Sequence, residues 1–281
     1  MAAITAELVK RLRDATGAGM MDCKKALMKA DGDFDAAAKI LKEMGLAAVA
    51  KRSDRATDNG RVFARISDGK AVLLEISCET DFVARNDDFI ALGNELITDI
   101  IANGWTSPND QLNAKVDGLI SLIKENMHLK SVVVEDVPAD SIGASYIHGD
   151  GVLGVITVLK ASKPEVLKNP VVEELAHDIA LHVAAFTPQF LSDKTVTKEY
   201  EEEQLSIFRV QAASLDKPEK VKEGIVRGKL SKLYSEICLL DQAFVKDDKI
   251  SVAQKLKEVS KAVGADLEIA SYHFLRAGVE A

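Results

Sequence analysis

Few side chains in this sequence are of the types that carry chemistry. His177 and His182, in the stretch HDIALH, are five residues apart, so on a helix their side chains diverge by roughly 140°. That spacing is poor for a shared metal ion, and His177 is expected to be a partly buried helix residue with ordinary hydrogen bonds. Cys78 and Asp81, in CETDFVAR, would suit nucleophilic catalysis only with a base to activate the thiol, and no His lies near them in sequence. A glycine-rich GxxxxGK loop is absent from the sequence, so the chain is not expected to cradle a nucleotide phosphate itself. No catalytic residue, cofactor or metal site is expected. What stands out instead is Phe82, an aromatic within a polar turn. It either folds back as a local plug or is aimed at a partner.

The elements around Phe82 are legible. Val72, Leu74 and Ile76 alternate with residues of the opposite face, so Ala71–Ile76 reads as a strand. The turn Ser67–Lys70, with Asp68 and Gly69 at its centre, joins it to a strand over Val62–Ile66. Asn86 and Asp87 offer capping oxygens to a helix over Phe89–Ala102, whose apolar residues follow helical spacing. CETDFVAR is therefore a connection held at both ends by rigid elements, a good place to present one side chain.

Upstream, Ile4–Asp14, Asp22–Ala30 and Phe34–Met44 read as three helices, separated by Thr16–Gly19 and by Asp31, Gly32 and Asp33. This unit, about 50 residues long, is small for an independent domain and suits an interaction module. Met20 and Met21 follow the glycine-rich break. They either form an adaptable contact surface or act as flexible core filler. The polar stretch Lys51–Gly60 reads as a linker.

An internal echo follows. A second hairpin, Ser145–Ile147 and Val152–Leu159 about a His148–Gly151 turn, precedes a helix over Val171–Ala185. Asp193–Leu240 breaks the pattern and reads as helical throughout. Leu205, Phe208, Ala212 and Leu215 share one seam, and Leu230, Leu233, Ile237 and Leu240 share another across the Lys217–Pro218 interruption. The fold class is α+β: an N-terminal three-helix module resembling ubiquitin-associated domains (1–54), then two similar subdomains with antiparallel sheets (55–142 and 143–281). An antiparallel helical hairpin is inserted in the second at about 193–240.

Composition narrows the function. The chain has 281 residues, 47% hydrophobic and 28% charged, enough apolar material for more than one core. Its net charge of −8, from 36 basic and 44 acidic residues, argues against a phosphate-binding surface and direct nucleic-acid contact. The longest apolar run, near Val152–Leu159, is too short to span a bilayer, and the N-terminus reads directly as helix rather than as a signal peptide. Cys23, Cys78 and Cys238 are odd in number and widely spaced, as expected of a reducing cytoplasm.

TGAGMMDCKKAL at Thr16–Leu27, ETDFVAR at Glu79–Arg85 and SYIHG at Ser145–Gly149 occur in this order, and together they closely resemble the translation elongation factor Ts family. The resemblance covers most of the chain and implies a guanine-nucleotide exchange factor for elongation factor Tu, with no chemical step of its own. It implies that Thr80, Asp81, Phe82 and Val83 intrude into the GTPase and disturb its Mg²⁺ site. Leu12, Met20, Met21 and Lys24 would form one further contact surface and His148 another, although Lys24 and His148 are equally readable as solvated surface residues. The inserted hairpin would serve a homodimer or a 2:2 assembly. Some members continue into a further helical C-terminal module; with Leu267–Leu275 as the last strand, that module is not expected here. Two other readings stand beside this one: a dimeric scaffold carrying a ubiquitin-associated-like module, and a small hydrolase using Cys78 with a distant His.

Overall fold

A computed structural model describes residues 4–278 of the chain. Helices α1 (Ala6–Thr16), α2 (Met20–Lys29) and α3 (Phe34–Ala50) form the N-terminal module. Their boundaries follow capping chemistry. Thr5 accepts the Leu8 N–H at 3.2 Å, and Asp33 accepts the Ala36 N–H at 2.7 Å. Gly17, at φ 66°, closes α1 in a left-handed turn that a side chain would strain. Gly19 serves as N-cap of α2, so Met20 and Met21 lie in its first turn, two residues before the expected start. Leu12, Cys23, Ala26, Leu27, Ala37 and Leu41 fill the space between the three helices.

The remainder is built of two three-stranded antiparallel sheets. In the first, β1 (Asn59–Ser67) pairs with β2 (Lys70–Cys78), and β2 pairs with β3 (Met127–Asp136). A two-residue turn with Asp68 and Gly69 at φ 52° and 70° fixes the β1–β2 register, Phe63 opposite Leu74. In the second, β4 (Ser141–His148), β5 (Leu153–Ala161) and β8 (Leu267–Arg276) repeat the plan, with the β5–β8 pairing bulged at Val158 as β2–β3 is at Glu75. The central strands β2 and β5 are buried along most of their length, because each sheet is covered on both faces. On the outer face of the first, Val72, Leu74, Ile76 and Cys78 pack with α4 (Asp81–Ala84), α5 (Asp87–Asn103) and α6 (Asp110–Ile123). On the outer face of the second, Val155 and Leu159 pack with α7 (Pro170–Phe186) and α10 (Val252–Val263). Between the sheets, Val62, Ala71, Leu73 and Ile156 form a shared core. Their close approach needs Gly154, where a Cβ would sit 2.4 Å from the Val62 side chain. The order of layers is helix, sheet, sheet, helix, an α+β architecture.

The insertion contains α8 (Lys198–Ala213) and α9 (Glu219–Ile237), followed by a small ribbon of β6 (Ala243–Phe244) and β7 (Asp247–Ser251). The two expected helices are present, but the region is not helical throughout from 193: it opens on a single 3₁₀ turn at Asp193–Thr195. Leu215 lies past the end of α8 and is exposed, Val226 joins Ala212 among the buried residues, and Leu240, beyond α9, packs into the second core. Together with the β6–β7 ribbon, α6, β3 and α10 are elements not expected from the sequence, and these last three complete the two halves. Among the described residues, no helix is long and apolar enough to cross a membrane.

Candidate functional site

The turn after β2 is a single helical turn, not an open loop. Thr80 caps α4: its hydroxyl accepts the Val83 N–H at 3.4 Å. Val83 and Ala84 point into the first core and are buried. At about 100° per residue, a turn that points 83 and 84 inward points 81 and 82 outward. Phe82 is accordingly 81% exposed, so it is no local plug. Val83, expected in the intruding segment with Phe82, instead anchors the turn from beneath.

Polar contacts fix this turn from both sides. The Glu125 carboxylate accepts the Thr80 N–H at 3.1 Å and its hydroxyl at 2.9 Å. Glu79 accepts the Asn126 N–H at 2.6 Å. Asp81 and Arg85 form an exposed ion pair at 3.6 Å, and Arg85 also reaches Asp150 at 3.7 Å. Cys78 is buried, its thiol donates to the Thr80 carbonyl at 3.1 Å, and burial, aided by the Glu125 charge, pushes its pKa up to about 12. A thiol so placed stays protonated at neutral pH, which leaves the hydrolase reading without a nucleophile.

Asp150 follows SYIHG directly in the β4–β5 turn, so the Arg85 contact joins ETDFVAR to the turn that the third motif opens. That turn is seated on β1: the Val62 N–H donates to the Gly151 carbonyl at 2.8 Å, and a Cβ at Gly151 would lie 2.3 Å from Arg61. His148 ends β4, exposed, with Nδ1 3.3 Å from the Tyr146 hydroxyl. The Tyr146 ring also meets the edge of His177 at 6.1 Å between centroids. His177 is nonetheless exposed, not partly buried as expected. His182 lies on the buried face. Its Nε2 is 2.9 Å from the Gln242 side-chain Oε1, its Nδ1 accepts the Val245 N–H at 3.2 Å, and burial lowers its pKa. It fastens α7 to the ribbon after α9.

On α2, Met20 and Met21 are 48% and 63% exposed, Lys24 is exposed, and Met28 is 59% exposed. Met21, Lys24 and Met28 follow the i, i+3, i+7 pattern of one helix face. Met28 was missed in the sequence because nothing there separates an outward methionine from an inward one; only the burial of Ala26 and Leu27 decides it. Leu12, expected on this surface, is fully buried between the three helices. It supports α2 from behind. Lys124, next to Glu125, reaches Asp22 of α2 at 3.5 Å. Contacts from Asp22 through Lys124–Glu125 to Thr80, and from Arg85 to Asp150, connect the first two motifs and the turn that the third opens. Among the described residues, no cluster of three or more His, Cys, Asp or Glu side chains is arranged to hold a metal ion.

A family model described as elongation factor TS matches residues 79–279. Proteins named elongation factor Ts align along nearly their whole length. That of Treponema denticola is 47% identical over 276 residues, 98% of this chain and 99% of its own. That of Borrelia recurrentis is 42% identical over 276 residues, 98% of this chain and 99% of its own. That of Borreliella burgdorferi strain B31 is 41% identical over 279 residues, 99% of this chain and 100% of its own. With the family match opening at Glu79, on the threshold of the Phe82 turn, and these relatives extending the likeness through α1–α3, the chain belongs to the elongation factor Ts family.

Proposed function

We infer that the protein is the guanine-nucleotide exchange factor of elongation factor Tu in translation elongation. The observation that carries this reading is Phe82, 81% exposed on a turn held by its neighbours. A large aromatic kept out of its own core in a fixed place suits insertion into another protein. Phe82 enters the GDP-bound GTPase, Asp81 accepts hydrogen bonds beside it, and Thr80 and Val83 hold the turn. The insertion displaces groups around the partner's Mg²⁺, the main positive charge opposing the diphosphate, so the nucleotide-free form gains relative to the GDP form. Met20, Met21 and Lys24 on α2 and His148 at the β4–β5 turn supply the remaining contacts. The action is binding without a chemical step, and it is reciprocal: the factor by which this protein weakens GDP is the factor by which GDP weakens this protein. GTP then fills the emptied site. The cytoplasm, where translation runs, is the compartment of this reading. Exposed Ile207, Val210 and Val221 on the α8–α9 hairpin support pairing of two copies there.

The test is release of a fluorescent GDP analogue from elongation factor Tu at controlled Mg²⁺, with the protein and with Phe82→Ala. Acceleration that collapses in the variant supports the reading. No acceleration by the unmodified protein rejects it and favours the scaffold alternative.

A further inference from the structure

Only three residues lie between α6 and β3, and each makes a contact far away in sequence. Lys124 closes α6 in the left-handed conformation, φ 68°, and its ammonium reaches Asp22 of α2 at 3.5 Å. Glu125 receives both the N–H and the hydroxyl of Thr80. Asn126, buried, donates its backbone N–H to Glu79 and its side-chain amide to the Arg55 carbonyl at 2.8 Å. One tripeptide thus touches the N-terminal module, the linker that follows it and both residues leading into the Phe82 turn.

The Glu125 contact has a specific consequence. α4 is four residues long, too short to persist by its own hydrogen bonds. Its cap is the Thr80 hydroxyl, which accepts from the Val83 N–H while donating to Glu125. The carboxylate therefore orients the hydroxyl so that a lone pair faces Val83, and bonds in such a chain reinforce one another. We propose that Glu125 is a positioning residue for nucleotide exchange: it holds Thr80 so that Phe82 is presented in one orientation, and Lys124 beside it ties that orientation to α2. This rests on the exchange reading above. Glu125 touches neither nucleotide nor GTPase in this scheme. Its effect passes through Phe82, by removing the ordering that insertion would otherwise require.

The experiment uses the full chain with Glu125→Ala and Glu125→Gln, alone and combined with Phe82→Ala. Two readouts are taken: hydrogen exchange of the Val83–Arg85 amides in the free protein, and GDP-analogue release from elongation factor Tu over a range of protein concentrations. Loss of a charge-assisted bond predicts amide exchange about tenfold faster in Glu125→Ala. The maximal release rate should fall about tenfold while the half-saturating concentration changes less than about twofold, since α2 and His148 still dock. Glu125→Gln, which keeps one acceptor oxygen, falls between and serves if the alanine variant folds poorly. In the Phe82→Ala background the Glu125→Ala effect should vanish, because coupled residues are not additive. Unchanged amide exchange at the turn overturns the proposal. So does an equal loss of release rate in both backgrounds. Failure of the unmodified protein to speed release overturns the exchange reading instead, and the amide measurement still decides whether Glu125 holds the turn.

Discussion

Truncating Phe82 should separate function from stability. In the free chain the ring is 81% exposed, so Phe82→Ala removes almost no folded contact and should change stability by less than about 0.5 kcal/mol. Burying that ring in a partner is worth about 1.5–3 kcal/mol, roughly ten- to a hundredfold in stabilisation of the nucleotide-free complex. Phe89, seven residues on and fully buried on the inner face of α5, is the opposite case. Phe89→Ala should cost about 3–5 kcal/mol of stability and lower the melting temperature by several degrees. The assay pairs GDP-analogue release with thermal melting for both variants. Mg²⁺ adds a second axis. If the ring acts through the partner's metal site, chelating Mg²⁺ raises unassisted release and shrinks the ratio between unmodified protein and Phe82→Ala. A Phe82→Ala variant that melts as early as Phe89→Ala, or releases GDP as fast as the unmodified protein, refutes the reasoning. So does a ratio that ignores Mg²⁺.

Leu12→Ala, in the core of the three-helix module, should cost about 2–5 kcal/mol of stability in a melt, whereas Met21→Ala should leave the melt unchanged and raise the half-saturating concentration for release. His182 should make stability depend on pH: its folded pKa is lowered by burial, so below about pH 6.5 the unfolded chain binds the extra proton. Stability is then complete above about pH 6.5 and declines as pH falls, by at most about 1.4 kcal/mol per pH unit, and denaturant melts of His182→Gln should lack that limb. Cys78 and Cys238, both buried and raised to about 12 and about 11, should resist iodoacetamide at pH 8 in the native protein and react once it is unfolded, as counted by mass spectrometry. Arg85→Met breaks exposed ion pairs to Asp81 and Asp150 and should cost at most about 1 kcal/mol in the melt.

Local patterns carried the sequence reading as far as local causes reach. Alternation gave β2, the Asp68–Gly69 pair gave its hairpin, and Asn86, whose side chain accepts the Asp88 and Phe89 N–H groups, announced α5. Long-range contacts were not legible. The alternation in β3 could have marked it as a strand, yet its place beside β2 is fixed by pairing across roughly fifty intervening residues. At the site, Phe82 stood out by its polar surroundings, but its direction depends on Val83 and Ala84 finding the core. Leu12 illustrates the reverse: a seam residue of an amphipathic helix faces inward, and the family resemblance assigned it to the surface against that physics. Glu125 carried no sequence signal, since a glutamate after a helix reads as solvated until Thr80 is seen beside it.

The sizes of these effects argue for a distributed contact. One aromatic ring contributes roughly a hundredfold at most, too little alone to dislodge a tightly held diphosphate. If exchange is the activity proposed above, the methionine face of α2, Phe82 and His148 have to act together, and they sit on different elements, joined by surface contacts such as Lys124–Asp22 and Arg85–Asp150. Each such pair is weak as a source of stability. Its value lies in orientation: were the three surfaces to move independently, each would have to be ordered separately on binding, at about 0.5–1.5 kcal/mol for every long side chain immobilised. On the exchange reading, linkage through the Lys124–Asn126 segment and the Arg85–Asp150 pair lets them dock as one body, so that the stabilisation of the nucleotide-free state would exceed what any single contact supplies.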